Sequence, residues 1–266
     1  MAGMNADGAV LVGVDESEAS LAAVRWAAAE AVRRGCLLRL LQAGMGDTTD
    51  LPGQDGRVHR WLSRAARVAE ESAPGVRVQQ MLRVGLAADL LVEASRSVSL
   101  LVLGSHGLGG LRGAAIGSVA LRVAATARCP VVVVRGHASP EGAVVVGVEA
   151  DERAVEFAFE AAASRRAPLV AVHAWHEGAF EDPGRAAAEK RALRARIAPW
   201  ADKYPGVTVQ IVATQERSAA RALMAVEAPH LIVIGSRGRG PVTGGLFGST
   251  GNRLLADAAC PVAVVH

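Results

Sequence analysis

Glycine, serine and a cationic side chain recur at one spacing in two places of this 266-residue chain. Gly104-Ser105-His106-Gly107 is followed, after nine residues, by Gly117-Ser118; Gly235-Ser236-Arg237-Gly238 is followed, again after nine, by Gly248-Ser249. Each position of the second copy lies 131 residues beyond its counterpart. Glycine has no Cβ, so main-chain N–H groups in such a loop can approach an anion closely. A Gly-Ser pair at a helix start adds unpaired N–H groups and the positive end of the helix dipole, which favour phosphate. Glycines after a buried strand also serve plain tight turns, but a spacing kept twice favours two phosphate-binding loops. His106 and Arg237 share one loop position, and each reads equally as a phosphate contact or a solvated side chain.

Such loops need strands to lead into them. Apolar runs precede both, Leu100 to Leu103 and Leu231 to Ile234. The first half alternates strand and helix throughout. Val10 to Val14 is a strand ending at Asp15, and Ser17 caps a helix whose Leu21, Val24, Ala28 and Ala31 recur at helical spacing. Leu37 to Gln42, Val76 to Val84, Ser99 to Leu103 and Val131 to Val134 are the other strands. Helices are expected near Arg57 to Ser72, over Leu86 to Ser95 and over Val119 to Ala127. The second half repeats the order, with strands Val144 to Val148, Leu169 to His173, Val207 to Ala213, Leu231 to Ile234 and Val262 to Val265, and a helix near Arg185 to Asp202. The repeat divides the chain into domains 1–136 and 142–266 joined by Gly136 to Gly142. Alternating strands and helices give two tandem doubly wound α/β domains with parallel sheets of order 3-2-1-4-5. Ligands of such sheets bind beyond the carboxyl ends of the strands where the order reverses, which sets Asp15 opposite Gly104.

Composition removes several classes. Net charge is +3, only Lys190 and Lys203 are lysines, and aromatic residues are 3%, which leaves a stacking, basic nucleic-acid groove unsupported. No apolar run reaches the roughly 18 residues of a membrane span. The opening Met1-Ala-Gly-Met-Asn-Ala-Asp7 lacks the order of a secretory signal, so a cytoplasmic protein is expected. Cys36, Cys129 and Cys260 have no metal-site spacing; the last two precede Pro130 and Pro261 and read as small buried side chains. His59 and His173 read as packing or surface histidines, and the equivalent Trp26 and Phe157 as core.

Val12-Gly13-Val14-Asp15, the doubled loop and the Cys-Pro-Val strand closing the first half, with Cys-Pro-Val again closing the second, resemble the universal stress protein family in its tandem two-domain form. The resemblance covers nearly the whole chain. It implies ATP binding, as in the branch of the family that this loop marks, with or without magnesium. Carried over by position, Asp15 meets the adenosine, the main chain at Gly13 and Ala43 lies near the base, and Leu103, Gly104 and Gly107 follow the ribose and first phosphate. Gly117, Ser118 and Val119 hold the outer phosphates. The matching residues of the second half are Gly147, Glu149, Ala174, Ile234, Gly235, Gly238, Gly248, Ser249 and Thr250. Read without the resemblance, Asp15 is also a plain helix N-terminal charge.

The second half departs at the first of these. Glu149 replaces Asp15, and its extra methylene pushes the carboxylate about 1.5 Å further into a pocket sized for Asp. From Asp15 to Trp26 is 11 positions, whereas from Glu149 to Phe157 is 8, so three residues are missing beside the expected base pocket. An impaired second site and a dominant first site follow.

A regulatory ATP-binding protein with a protein partner is favoured over an enzyme. The alternative is a slow ATP hydrolase or a nucleotidyl-transfer enzyme on the same fold. A P-loop ATPase is excluded because neither lysine lies in a glycine-rich loop. A receiver domain would need an acidic cluster with a late lysine, which is missing. Near the loops there is no carboxylate pair for a protein-held magnesium and no general base beyond His106. The closing strands are apolar and fall at a sheet edge, a liability unless covered. With the resemblance, this implies that the halves pair as an intrachain pseudo-dimer and that two chains form a homodimer.

Overall fold

The computed structural model describes residues 8–44, 54–107, 116–149, 152–176, 183–236 and 248–266, with the main chain alone at 54–59 and 183. Two compact units divide it, Met1–Arg135 and Gly136–His266. In the first, the order is β1 Val10–Val14, α1 Glu18–Arg34, β2 Leu37–Gly44, α2 Gln54–Ser72, β3 Arg77–Val84, α3 Ala87–Ala94, β4 Leu100–Gly104, α4 Ser118–Thr126 and β5 Val131–Val134. The second runs β6 Val144–Gly147, α5 Glu152–Arg165, β7 Leu169–Trp175, α6 Pro183–Lys203, β8 Val209–Gln215, α7 Ala219–Met224, β9 Leu231–Gly235, α8 Ser249–Asp257 and β10 Val262–Val265.

Every strand pairing within each unit is parallel. In the first unit β1 lies between β2 and β4, with β3 beyond β2 and β5 beyond β4. In the second, β6 lies between β7 and β9, with β8 and β10 outside them. Both are the doubly wound order 3-2-1-4-5. The break in sequence order falls between β1 and β4, and between β6 and β9, where the two loops emerge.

The strands that flank the crevice are nearly continuous Val, Leu and Ile and are buried on both faces. Each fully buried Val or Leu stabilises the fold by about 1.5–3 kcal/mol relative to exposure. Gly13 faces Leu91 of α3, whereas Gly104, of opposite parity in the sheet, faces Ala19 and Ser20 of α1. Helices α1 and α3 therefore cover opposite faces. Helix α1 begins where Ser17 Oγ accepts the Ser20 N–H at 3.1 Å and ends at Gly35, whose φ of 64° suits glycine. Near its end, Glu30 is buried and bridged by Arg33 and Arg34 at 3.0 and 2.6 Å.

Several strands run further at their carboxyl ends than the apolar pattern indicates, β2, β7 and β8 by two residues and β4 and β9 by one. β2 continues past Gln42 to Gly44 and β7 past His173 to Trp175, because the main chain keeps pairing: Gly44 with Val84, Trp175 with Gln215. Main-chain ladders need no apolar side chain, so hydropathy alone stops the strand early.

Candidate functional site

Asp15 ends β1 and organises the start of α1. Its carboxylate accepts the Ser17 N–H at 3.0 Å and the Ser17 hydroxyl, while its own carbonyl accepts Ser20 Oγ at 2.7 Å. The local capping reading holds, and the second carboxylate oxygen is turned to the loop after β4. Across the crevice, the loop after β4 comes close. Ser17 Oγ lies 3.4 Å from the His106 carbonyl, and a Cβ on Gly107 would fall 2.7 Å from Asp15 Oδ2. A Cβ on Gly104 would fall 2.7 Å from the Ala19 main chain. These two glycines are where the loop requires the missing side chain.

The loop is fixed at both ends. Ser105 N–H donates to the Val134 carbonyl of β5 at 3.1 Å, and Gly117 N–H donates back to the Ser105 carbonyl at 2.8 Å. Gly117 thereby becomes the N-cap of α4 without a side-chain cap, so the first turn points its N–H groups outward beside exposed Ser118 and Val119. Ser105 Oγ is 2.9 Å from His106 Nδ1, which orients the imidazole within the loop. Leu103 is buried and packs against Gly13, where a Cβ would come within 2.6 Å of its Cδ2. Ala43 is half-buried at the end of β2, opposite Arg83. Asp15, Gly104, His106, Gly107 and Gly117 are thus gathered at one crevice, with Ser118 and Val119 at its rim.

The described ends of the corresponding loop in the second unit follow the same pattern. Ser236 N–H donates to the Val265 carbonyl at 2.7 Å. Gly248 is the N-cap of α8 with φ −60° and ψ 155°, again without a side-chain cap, ahead of Ser249 and Thr250. Gly235 and Ile234 end β9, and Gly147 ends β6 with looser packing, 3.3 Å to Leu223 and 3.6 Å to Ile234 for an added Cβ. Glu149 follows β6 half-buried, and Ala174 sits in β7 opposite Thr214. Arg237 and Gly238 lie outside the described residues.

Beside Ala174 stands a cluster that sequence reasoning missed. His173 is clamped between strand and helix, with Nδ1 3.1 Å from the Val148 carbonyl and Nε2 3.5 Å from Glu189 of α6. Glu189 also meets Arg185 at 3.4 Å, and the Arg185 guanidinium lies 5.5 Å from the centre of the buried Trp175 ring. The available signal was positional: with the 131-residue offset, Trp175 falls on Gly44 and His173 on Gln42.

The three cysteines are buried thiols. Burial pushes the Cys129 thiol up to about 12 and raises that of Cys36. Among the described residues, no group of three or more His, Cys, Asp or Glu could hold a metal ion. No helix among them is long and apolar enough to cross a membrane.

Fold and site together define a duplicated α/β domain with a glycine loop at the switch point of each parallel sheet. The model of the universal stress protein family matches residues 8–135 and again 143–266. A universal stress protein of Mycobacterium tuberculosis H37Rv is 33% identical over 294 residues, covering 100% of this chain and 99% of the relative. One from Mycolicibacterium smegmatis is 34% identical over 283 residues, covering 97% and 96%. Among solved structures, a universal stress protein from Archaeoglobus fulgidus superposes with a TM-score of 0.75 over 98% of this chain and 99% of that one; at 20% identity this likeness speaks for the fold. The chain belongs to the universal stress protein family and carries two copies of its domain.

Proposed function

We propose that the protein is an ATP-binding regulator of the stress response whose first domain carries most of the nucleotide. The observation that supports it best is the closed loop of the first unit: Gly107 set against the Asp15 carboxylate and Gly117 returned to Ser105 at the start of α4. Such a frame offers main-chain N–H groups to phosphates and a carboxylate to sugar hydroxyls. In this reading Gly13, Asp15, Ala43 and Leu103 take the adenosine, and Gly104, His106, Gly107, Gly117, Ser118 and Val119 the phosphates. The corresponding residues of the second domain, from Gly147 and Glu149 to Thr250, form a weaker site. ATP enters with or without magnesium, and occupancy governs a protein partner.

The reading extends to a cytoplasmic protein, an intrachain pseudo-dimer closed by β5 and β10, and a homodimer of chains. The test is mass spectrometry of the nucleotide that co-purifies, together with calorimetry of ATP on the intact chain and on Asp15→Ala. Bound ATP lost in Asp15→Ala supports it. A chain that takes up no adenine nucleotide refutes it, and steady ADP production at enzyme-like rates turns the assignment to a hydrolase.

A further inference from the structure

The two domains offer an internal comparison at the end of their second strands. Gly44 and Trp175 occupy the same place: each pairs with the last residue of the neighbouring strand, Val84 and Gln215. The main-chain bond beyond is also the same, with Gly85 N–H donating to the Gly44 carbonyl and Glu216 N–H to the Trp175 carbonyl, both at 3.0 Å. The backbone is conserved between the copies while the side chain changes from none to the largest there is.

The indole is held rather than loose. Trp175 is 9% exposed, and Arg185 lies over its ring. Arg185 lies 3.4 Å from Glu189, Glu189 3.5 Å from His173 Nε2, and His173 Nδ1 3.1 Å from the carbonyl of Val148, the residue before Glu149. Side chains alternate along a strand, so His173 and Trp175 share a face, the one α6 covers. Swinging the ring out means breaking a chain of contacts that spans from α6 to the end of β6. The first domain has Gln42 in place of His173.

We infer that Trp175 is a specificity-determining plug: it fills, in the second domain, the space beside the Ala174 main chain, at the place where the first domain has Gly44, with no side chain, next to Ala43. An indole and a purine are planar groups of similar size, and a close-packed site does not hold both. This rests on the nucleotide reading above and adds a cause for the unequal sites besides Glu149 and the shorter connection. It also separates base binding from phosphate binding, because the Gly248 helix start remains in place.

The test uses the full-length chain. At low salt Gly117→Asp weakens first-domain binding roughly 200-fold, which brings the second domain into view. Adding Trp175→Gly, or Trp175→Ala if the glycine variant does not fold, is expected to tighten second-domain ATP binding by about tenfold or more. The reciprocal Gly44→Trp is expected to weaken first-domain binding by about the same factor, with circular dichroism and melting temperature reporting that the fold persists. ATP binding in the parent chain that is lost in Gly117→Asp, not regained with Trp175→Gly or Trp175→Ala and kept in Gly44→Trp overturns the plug alone. A parent chain that binds no ATP overturns the nucleotide reading and the plug with it.

Discussion

Gly117→Asp separates phosphate binding from folding. Gly117 has φ −64° and ψ 145°, backbone that any residue adopts. Among the described residues, an added Cβ would meet nothing closer than the Ser105 carbonyl oxygen at 3.5 Å, an ordinary contact. Aspartate is also a favoured N-cap, so the variant should match or exceed the parent in stability by a few tenths of a kcal/mol. The effect on ATP is opposite in sign. A carboxylate about 5 Å from a phosphate charge costs about 3 kcal/mol at an effective dielectric near 20, which is roughly a 200-fold loss of affinity. Salt screening lowers this to roughly 30-fold at physiological ionic strength. Gly117→Asn supplies the same cap without the charge and should lose much less. Gly248→Asp, at a helix start of the same geometry, should change total ATP uptake little. Calorimetry at low and high salt on all three variants provides the measurement. A folded Gly117→Asp chain with unchanged affinity, or a larger loss from Gly248→Asp, would refute the placement of phosphate at α4.

Two glycines of the loop should fail in different ways. Gly104→Ala drives a Cβ to 2.7 Å from the Ala19 main chain, which cannot easily yield, so a stability loss of about 1–3 kcal/mol is expected in denaturant titration. Gly107→Ala meets the movable tip of Asp15 at 2.7 Å; ATP affinity should fall about tenfold with little change in melting temperature. For Cys129, burial raises the thiol from its ordinary 9.0 to about 12. A raised folded value means that stability is complete below about pH 9 and declines as pH rises towards 12. Denaturant midpoints at pH 8 and 10.5 should show the decline, Cys129→Ala should lessen it, and iodoacetamide should label this thiol only after unfolding. A chain ending near Gly136 should dimerise or aggregate through its exposed β5; a stable monomer at high concentration would refute the pairing of closing strands.

Most of the frame was legible because the strands flanking the crevice are buried on both faces and spell this out in unbroken Val, Leu and Ile. β5 and β10 start and stop where their apolar runs do. The cap of α1 was legible as well, because Ser17 follows Asp15 at the spacing that lets a hydroxyl reach the Ser20 N–H. Strand ends were less so. At Ala43-Gly44 and Ala174-Trp175 the ladder is kept by main-chain pairing, on which composition has no bearing. The glycine loops announced themselves through spacing, but which glycines are sterically required did not follow from spacing. Gly104 and Gly107 press on α1 and Asp15, whereas no described residue comes closer than 3.5 Å to a Cβ on Gly117. Its importance in the proposed function is therefore electrostatic.

The duplication makes the chain its own control. Where both copies face the same physical demand, they keep the same answer: the serine N–H on the closing strand, at 3.1 and 2.7 Å, and the uncapped glycine at the helix start. Divergence gathers at the carboxyl ends of the first two strands, in Asp15 against Glu149, Gln42 against His173 and Gly44 against Trp175. None of these changes removes an apolar strand residue, so each leaves the sheet intact and alters what can lie above it. Folding requires the strands to be alike and places little restraint on their ends. Under the proposed function, a duplicated domain can thus keep its phosphate frame and lose its base pocket through a few substitutions that spare the apolar strands.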